Sequence, residues 1–216
     1  DYDAPINEMG QATPKYDALR KLLAGYLPAG QKMPAIPAAL PVIEIPEISL
    51  TQSASVWQHL PAAIKSPQPK PMEMLGQKAG FILYRTSLIG HKKGKLLITN
   101  LHDYATIFVD GQYIGKLDRC KAENLIELPA SNTANPRLEI LVEGMGHINF
   151  AQYMIDRKGI TERVTLNGMT LMNWEIFTLP FDESYLTQLK FSAVEATRPG
   201  SFFKGEFQLR ETGDTY

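Results

Sequence analysis

Ile107-Phe108-Val109-Asp110-Gly111-Gln112-Tyr113-Ile114-Gly115 is the stretch on which the fold reading turns. An apolar run leads into Asp-Gly, and a second run carrying Tyr113 and Ile114 leads out. Asp-Gly supplies the positive-φ residues of a two-residue turn, whose twist matches that of the strands on either side. A β-hairpin is predicted, with positive φ at Gly111. On both sides of it, short β-branched and aromatic runs alternate with turn residues, at 81–87, 95–100, 106–109, 113–117, 138–142, 161–166 and 171–177. Asn167-Gly168 marks a second tight turn. The pattern predicts a mostly antiparallel β-sandwich over about 72–180. Alternation places Phe81, Leu83, Ile107, Val109, Leu138, Ile140 and Val142 towards its core.

The prolines divide the chain. Nine of the fifteen lie between Pro28 and Pro71, while the 108 residues from Met72 to Leu179 contain only Pro129 and Pro136. Before the proline-rich stretch, Thr13-Pro14 reads as N-cap and first helical position, and Tyr16, Leu19, Leu22, Leu23 and Tyr26 recur at helical spacing. One amphipathic helix is predicted over roughly 14–26. A helix this short is marginal without a surface against its apolar face. The segment that follows, with Pro at irregular intervals, is read as an extended linker. At the far end, 202–209 reads as one more strand, with no later partner in the chain.

Lys and Arg number 22 and Asp and Glu 23, giving a net charge of -1. No positive field exists to hold a phosphate backbone or an anionic membrane, so neither nucleic acid nor membrane is an expected partner. At 44% hydrophobic and 21% charged residues the composition is globular, and no apolar stretch approaches the ~18 residues of a membrane span. Cys120 is the only cysteine, which removes intrachain disulfides and multi-cysteine zinc sites. The start, Asp1-Tyr2-Asp3, is acidic where a secretory signal is basic and then apolar. Either the protein is cytoplasmic or its true start lies upstream.

Few residues point to chemistry by themselves. Asp1 and Asp3 share one face of an extended segment, and paired carboxylates serve acid and base catalysis on sugars, but terminal acids read first as solvated surface. His59, His91, His102 and His147 lack paired metal-ligand spacing, so no metal or other cofactor is expected. Cys120 has flanking cations but no general base. Ser87, Ser131 and Ser201 sit in no nucleophile elbow, and Gly144-Met145-Gly146 lacks the remainder of a phosphate loop. Trp57, Trp174, Tyr104, Tyr113 and Tyr153 offer aromatic faces for a sugar, against the general tendency of sandwich aromatics to face the core. Composition and spacing therefore reach an all-β domain with a helical N-terminal piece.

Three segments, in order, resemble the β-galactosidases of glycoside hydrolase family 35. Asp1-Tyr2-Asp3-Ala4-Pro5-Ile6-Asn7-Glu8-Met9-Gly10, with Thr13-Pro14-Lys15-Tyr16 and Leu19-Arg20 after it, is similar to the family's Tyr-Asp-Tyr-Asp-Ala-Pro pattern and the helix that follows. Gly80-Phe81-Ile82-Leu83-Tyr84-Arg85-Thr86, followed by His102-Asp103-Tyr104-Ala105 and Val109-Asp110-Gly111, resembles a second motif. Leu141-Val142-Glu143-Gly144-Met145-Gly146-His147-Ile148-Asn149-Phe150, with Asp156-Arg157-Lys158-Gly159-Ile160 and Trp174, resembles the third. Gly144 and His147 depart from the family's usual Asn and Arg.

The resemblance implies a jelly-roll, galactose-binding-like sandwich at 72–180, after the last strand and helix of a catalytic (β/α)8 barrel at 1–27 and a Pro-rich linker with the first β-strand at 28–71. Residues 181–216 would be a connection and the first strand of a second, incomplete β-domain. It implies a retaining enzyme that hydrolyses terminal β-D-galactose, with both catalytic glutamates upstream of Asp1 and no catalytic residue in this chain. Tyr2 is the one residue it assigns to galactose, with Asp1 beside it. The β-galactoside is the partner so implied, a homo-oligomer is admitted, and export to the periplasm or outside the cell is favoured. The competing reading is a free-standing carbohydrate-binding or scaffolding module without hydrolytic activity.

Overall fold

The computed structural model describes residues 3–38, 40–90, 93–195 and 198–215. The chain forms two compact units, Asp1–Ser49 with Gly205–Tyr216, and Leu50–Lys204.

In the first unit, α1 (Pro14–Ala24) begins where Thr13-Pro14 predicts. Thr13 has the extended backbone of an N-cap, but its hydroxyl does not cap the helix and instead donates to the carbonyls of Ala4 and Pro5, each at 3.0 Å. The turn before it is closed by Asn7, whose Oδ1 accepts from the N–H groups of Met9 and Gln11. No residue of α1 is buried, and Leu22 and Leu23 are more than half exposed. A parallel bridge between Val42 and Asp214 ties the first part of the proline-rich segment to the C-terminal residues of the same unit.

In the second unit the strands are, in chain order, β1 (Gln52–Ser55), β2 (Ile64–Ser66), β3 (Gly80–Ser87), β4 (Gly94–Ile98), β5 (Leu101–His102), β6 (Tyr104–Val109), β7 (Gln112–Asp118) and β8 (Leu125–Leu128). They continue as β9 (Arg137–Gly144), β10 (Gly159–Ile160), β11 (Val164–Leu166), β12 (Met169–Thr170), β13 (Trp174–Leu179), β14 (Ser192–Ala193) and β15 (Ser201–Lys204). A six-stranded sheet of order β2-β13-β3-β9-β6-β7 faces a four-stranded sheet of order β12-β11-β4-β8, and all pairings are antiparallel. The β6–β7 turn is the predicted one, with φ of +49° at Asp110 and +82° at Gly111 and Val109 opposite Gln112. Asn167-Gly168 repeats that geometry between β11 and β12.

The sandwich core lies between these two sheets. Ile82, Tyr84, Ile107, Ile140, Val142, Trp174 and Ile176 meet Leu96, Ile98, Leu128, Val164 and Leu166 there, nearly all with no exposed surface. Each fully buried Leu or Ile contributes about 1.5 to 3 kcal/mol relative to exposure. Phe81 and Leu83 depart from the expectation. They point to the opposite face, into a second cluster of Leu83, Phe108, Leu141, Phe177 and Leu179 that Val56, Trp57, Phe181 and Phe202 cover. Both faces of the large sheet are buried, so β3 reads as a nearly continuous apolar run and alternation cannot identify its inner face.

Observed boundaries also differ from the expected ones. Of the run at 161–166 only Val164–Leu166 is strand, β11, with β10 just before the run, and the strand expected at 202–209 spans only Ser201–Lys204. That strand pairs backwards with β1, Gln52 lying opposite Lys204 and Ser55 opposite Ser201, while β14 occupies the other edge of β1.

Candidate functional site

Two charged clusters are built into the second unit. The first gathers residues from three separated segments. β5 ends in His102 and Asp103 follows it at the corner before β6, the turn after β7 carries Arg119, and the stretch before β10 carries Asp156 and Lys158. Lys158 Nζ donates to Asp103 Oδ2 at 2.6 Å and to Asp156 Oδ2 at 2.7 Å. Arg119 donates from one nitrogen to Asp103 Oδ1 at 2.7 Å and Asp156 Oδ1 at 2.9 Å, and His102 Nδ1 lies 2.9 Å from the same Asp156 oxygen. Asp103, Asp156 and Lys158 are all at most 5% exposed.

A local frame holds these groups. The short helical turn Met72–Leu75 fixes the 156–160 segment from one side: Glu73 accepts from the Lys158 N–H with both carboxylate oxygens, and the Met72 N–H donates to the Lys158 carbonyl. Tyr84 reaches the same segment from β3, its hydroxyl accepting from the Ile160 N–H at 3.0 Å while donating to the Lys70 carbonyl at 2.7 Å. Burial pushes the Tyr84 phenol up. For Asp156 burial also acts upward, but the hydrogen bonds from Lys158, His102 and Arg119 outweigh it and hold this carboxyl well below the usual range.

Among the described residues, His102, Asp103 and Asp156 form a group with metal-type donor atoms within 4.8 Å of one another. Lys158 and Arg119 already supply the positive charge at those carboxylates. The arrangement is that of an ion network in which the protein's own cations neutralise both carboxylates.

The second cluster centres on Glu139 of β9, whose side chain has no exposed surface. Oε1 accepts from Arg85 Nε at 3.1 Å, Oε2 from Arg198 at 2.8 Å, and Arg137 Nε stands 3.5 Å away. The Arg198 guanidinium lies 3.2 Å from the Trp57 ring centroid and 4.4 Å from that of Phe108, and Arg85 lies over Phe177. The pairing register sets Lys65, Glu175, Arg85 and Glu139 opposite one another on four adjacent strands. Charges thus alternate in sign across the sheet.

Tyr2 and Asp1, the residues the family resemblance brings to galactose, and His91 lie outside the described residues. Asp3 is exposed and pairs with Lys15 at 3.0 Å. His59 sits between the Ser55 carbonyl and the Lys190 N–H, and His147 lies against the carbonyls of Asp156 and Lys78. Cys120 is exposed in the turn after β7. The five aromatic candidates do not form one platform. Trp174 is 1% exposed in the sandwich core, Trp57 lies against the opposite face, and Tyr153 projects from the loop after β9.

Sequence reasoning passed over Asp103, Asp156, Lys158, Arg85 and Glu139 as chemical groups. The signal was present in Arg85 and Glu139, two charges inside otherwise apolar strands, and in Asp156 and Lys158, two apart as on one side of an extended chain.

Residues 69–180 match the family profile described as "Beta-galactosidase, first all-beta domain". The chain belongs to this family. Its β-galactosidase relatives include one from Xanthomonas manihotis, 34% identical over the whole chain and 36% of the relative, and Beta-galactosidase 1 of Dictyostelium discoideum, 31% identical over 99% of the chain and 36% of the relative. The β-galactosidase of Homo sapiens is 32% identical over 88% of the chain and 28% of its own length. The chain thus spans about a third of the length of the curated relatives it matches. The profile for the β-galactosidase all-beta domain takes in both sheets of the sandwich except β2, the whole first ion cluster, and Arg85, Arg137, Glu139 and Glu175 of the second.

Proposed function

We propose that this chain is the β-domain portion of a retaining β-galactosidase of glycoside hydrolase family 35, an enzyme that releases terminal non-reducing β-D-galactose. The observation that carries the reading is the match of 69–180 to the β-galactosidase all-beta domain, together with relatives named β-galactosidases along the whole chain. In this reading residues 1–27 are the last strand and helix of the catalytic barrel, and Tyr2 touches galactose. The exposed apolar face of α1 supports it, since Leu22 and Leu23 would gain barrel neighbours.

Retaining hydrolysis needs two carboxyl groups about 5 to 5.5 Å apart, one attacking the anomeric carbon and one protonating the leaving oxygen. Asp103 and Asp156 are close enough together, but they are buried and neutralised by Lys158 and Arg119, so neither can attack or deliver a proton. Glu139 is likewise enclosed by arginines. By the family resemblance the two catalytic glutamates belong to the barrel, and in this reading the sandwich supports it. The test is an aryl-β-galactoside assay on the purified 216-residue chain beside a longer form that includes the barrel. Turnover is expected only from the longer form. Turnover by the short chain, abolished by replacing one of its own acids, would overturn the assignment.

A further inference from the structure

At one end of the outer face of the six-stranded sheet, the alternating charge row opens onto a groove of about 630 Å³. That volume falls within the ~300 to 1,000 Å³ typical of small-molecule sites. Lys65, Arg85, Ser87, Arg137, Asn173 and Glu175 line it. Their arrangement follows from register: Lys65, Glu175 and Arg85 are directly opposed, and Ser87 stands opposite Arg137 two residues further along.

The charges do not cancel. Lys65, Arg85, Arg137 and Arg198 are four cations beside three carboxylates, Glu139, Glu175 and, on the Arg137 side, Asp110, in a protein whose overall charge is -1. Glu139 is consumed from behind by Arg85 and Arg198. Arg137 approaches it only through Nε at 3.5 Å, and its side chain stays half exposed. Arg85 and Glu175 remain 3.8 Å apart, too far for a hydrogen bond. Lys65 is exposed and has no ion pair among the described residues. Donors on Arg137 and Lys65 therefore face the groove in excess of what the protein itself satisfies.

We propose that this groove binds a saccharide through an oxyanion that the sugar carries, either a uronate carboxylate or a sulfate ester. Arg137 supplies the planar fork that grips such a group with two parallel hydrogen bonds, and Lys65 supplies the second charge. The groove extends past these cations to Ser87, Asn173 and Glu175, a hydroxyl, an amide and a carboxylate suited to sugar hydroxyls. Among the described residues the only aromatic in the lining, Trp174, is buried in the core, so charge and hydrogen bonding hold the ligand without stacking. Binding of this kind weakens with salt. The site is separate from the hydrolytic reading, and its test does not involve turnover.

The experiment is NMR titration of the ¹⁵N-labelled 216-residue chain with digalacturonate, with a galactose disaccharide carrying a 6-sulfate, and with neutral galactobiose, at equal ionic strength. At least one anionic probe is expected to shift the amides of Ser87, Arg137 and Asn173 and to lose affinity as salt rises, and the neutral disaccharide is expected to leave them unmoved. The anionic probe that binds identifies the source of the oxyanion. Arg137→Gln and Lys65→Gln, both at exposed positions, should each weaken binding by about tenfold. If either variant melts early, the shifts mapped on the unaltered chain still locate the site. Equal binding of galactobiose, no response to any probe, shifts confined to another surface, or unchanged affinity in both folded variants would overturn the proposal.

Discussion

Lys158 Nζ stands 2.6 Å from Asp103 Oδ2, one buried side chain against another, and it is this pair, extended to Asp156, that fastens the segment before β10 to the β5–β6 corner. A buried ion pair gains little over a well-packed apolar replacement, yet removing Lys158 leaves two buried carboxylates sharing the single Arg119 guanidinium. Lys158→Met is expected to destabilise the protein by about 3 kcal/mol. Urea unfolding of the variant beside the unaltered chain measures this, and an unchanged midpoint would show that the network contributes nothing.

Asp156 gives the same network a pH dependence of definite sign. Its folded-state carboxyl is held below the ordinary value of about 3.9, so its contribution is fully present above that value and is lost as pH falls through it towards the depressed one. Melting temperature should therefore fall on acidification below about pH 5. Asp156→Asn should start lower at neutral pH and show a shallower acid slope. Parallel slopes would remove Asp156 as the source.

Gly159 has φ of +98°, and a methyl group added there would lie 2.3 Å from the Tyr84 hydroxyl, which is itself engaged with Ile160 and Lys70. Gly159→Ala combines left-handed strain with a clash that no flexible side-chain end can relieve. A loss of about 3 kcal/mol or more is expected by calorimetry.

Gly111 is the contrasting case. Its φ is +82°, but the nearest atom to an added Cβ is 3.8 Å away, so space is not the constraint. Gly111→Val should cost about 1 to 2 kcal/mol through backbone strain alone. Melting that matched the unaltered chain would exclude strain at this turn.

On the proposed reading, Tyr2→Phe in a longer form that includes a barrel should lower turnover of an aryl-galactoside and leave the melting temperature unchanged, since the ring remains and only a hydrogen-bonding hydroxyl is lost. Unaltered kinetics would remove Tyr2 from the galactose site.

The hairpin at Asp110-Gly111 was legible because its signal is local: two residues and their twist determine the turn. The helix start at Thr13-Pro14 was legible for the same reason. The inner face of β3 was not, because Phe81 and Leu83 alternate with Ile82 and Tyr84 as apolar residues and each set has its own covering layer. Nor were the two ion clusters. Asp103 and Lys158 are 55 positions apart and Arg85 and Glu139 are 54, and only the pairing of strands brings them together. The backward pairing of β15 on β1 likewise depends on long-range closure that no local pattern encodes.

That closure determines how the second unit would respond to being pulled. Gln52 and Lys204 lie opposite one another at its two ends, and the Thr51 N–H bonds to the Lys204 carbonyl at 3.0 Å. Tension applied through the two connecting segments would act across the β1–β15 pair, along hydrogen bonds that run perpendicular to the strands. These bonds would open one after another like a zipper, from Gln52 towards Ser55, and would not share the load as sheared strands do. The β1–β15 pair is thus the mechanically weak point of the unit, and the double-faced sheet behind it would be reached only after that pair had peeled apart.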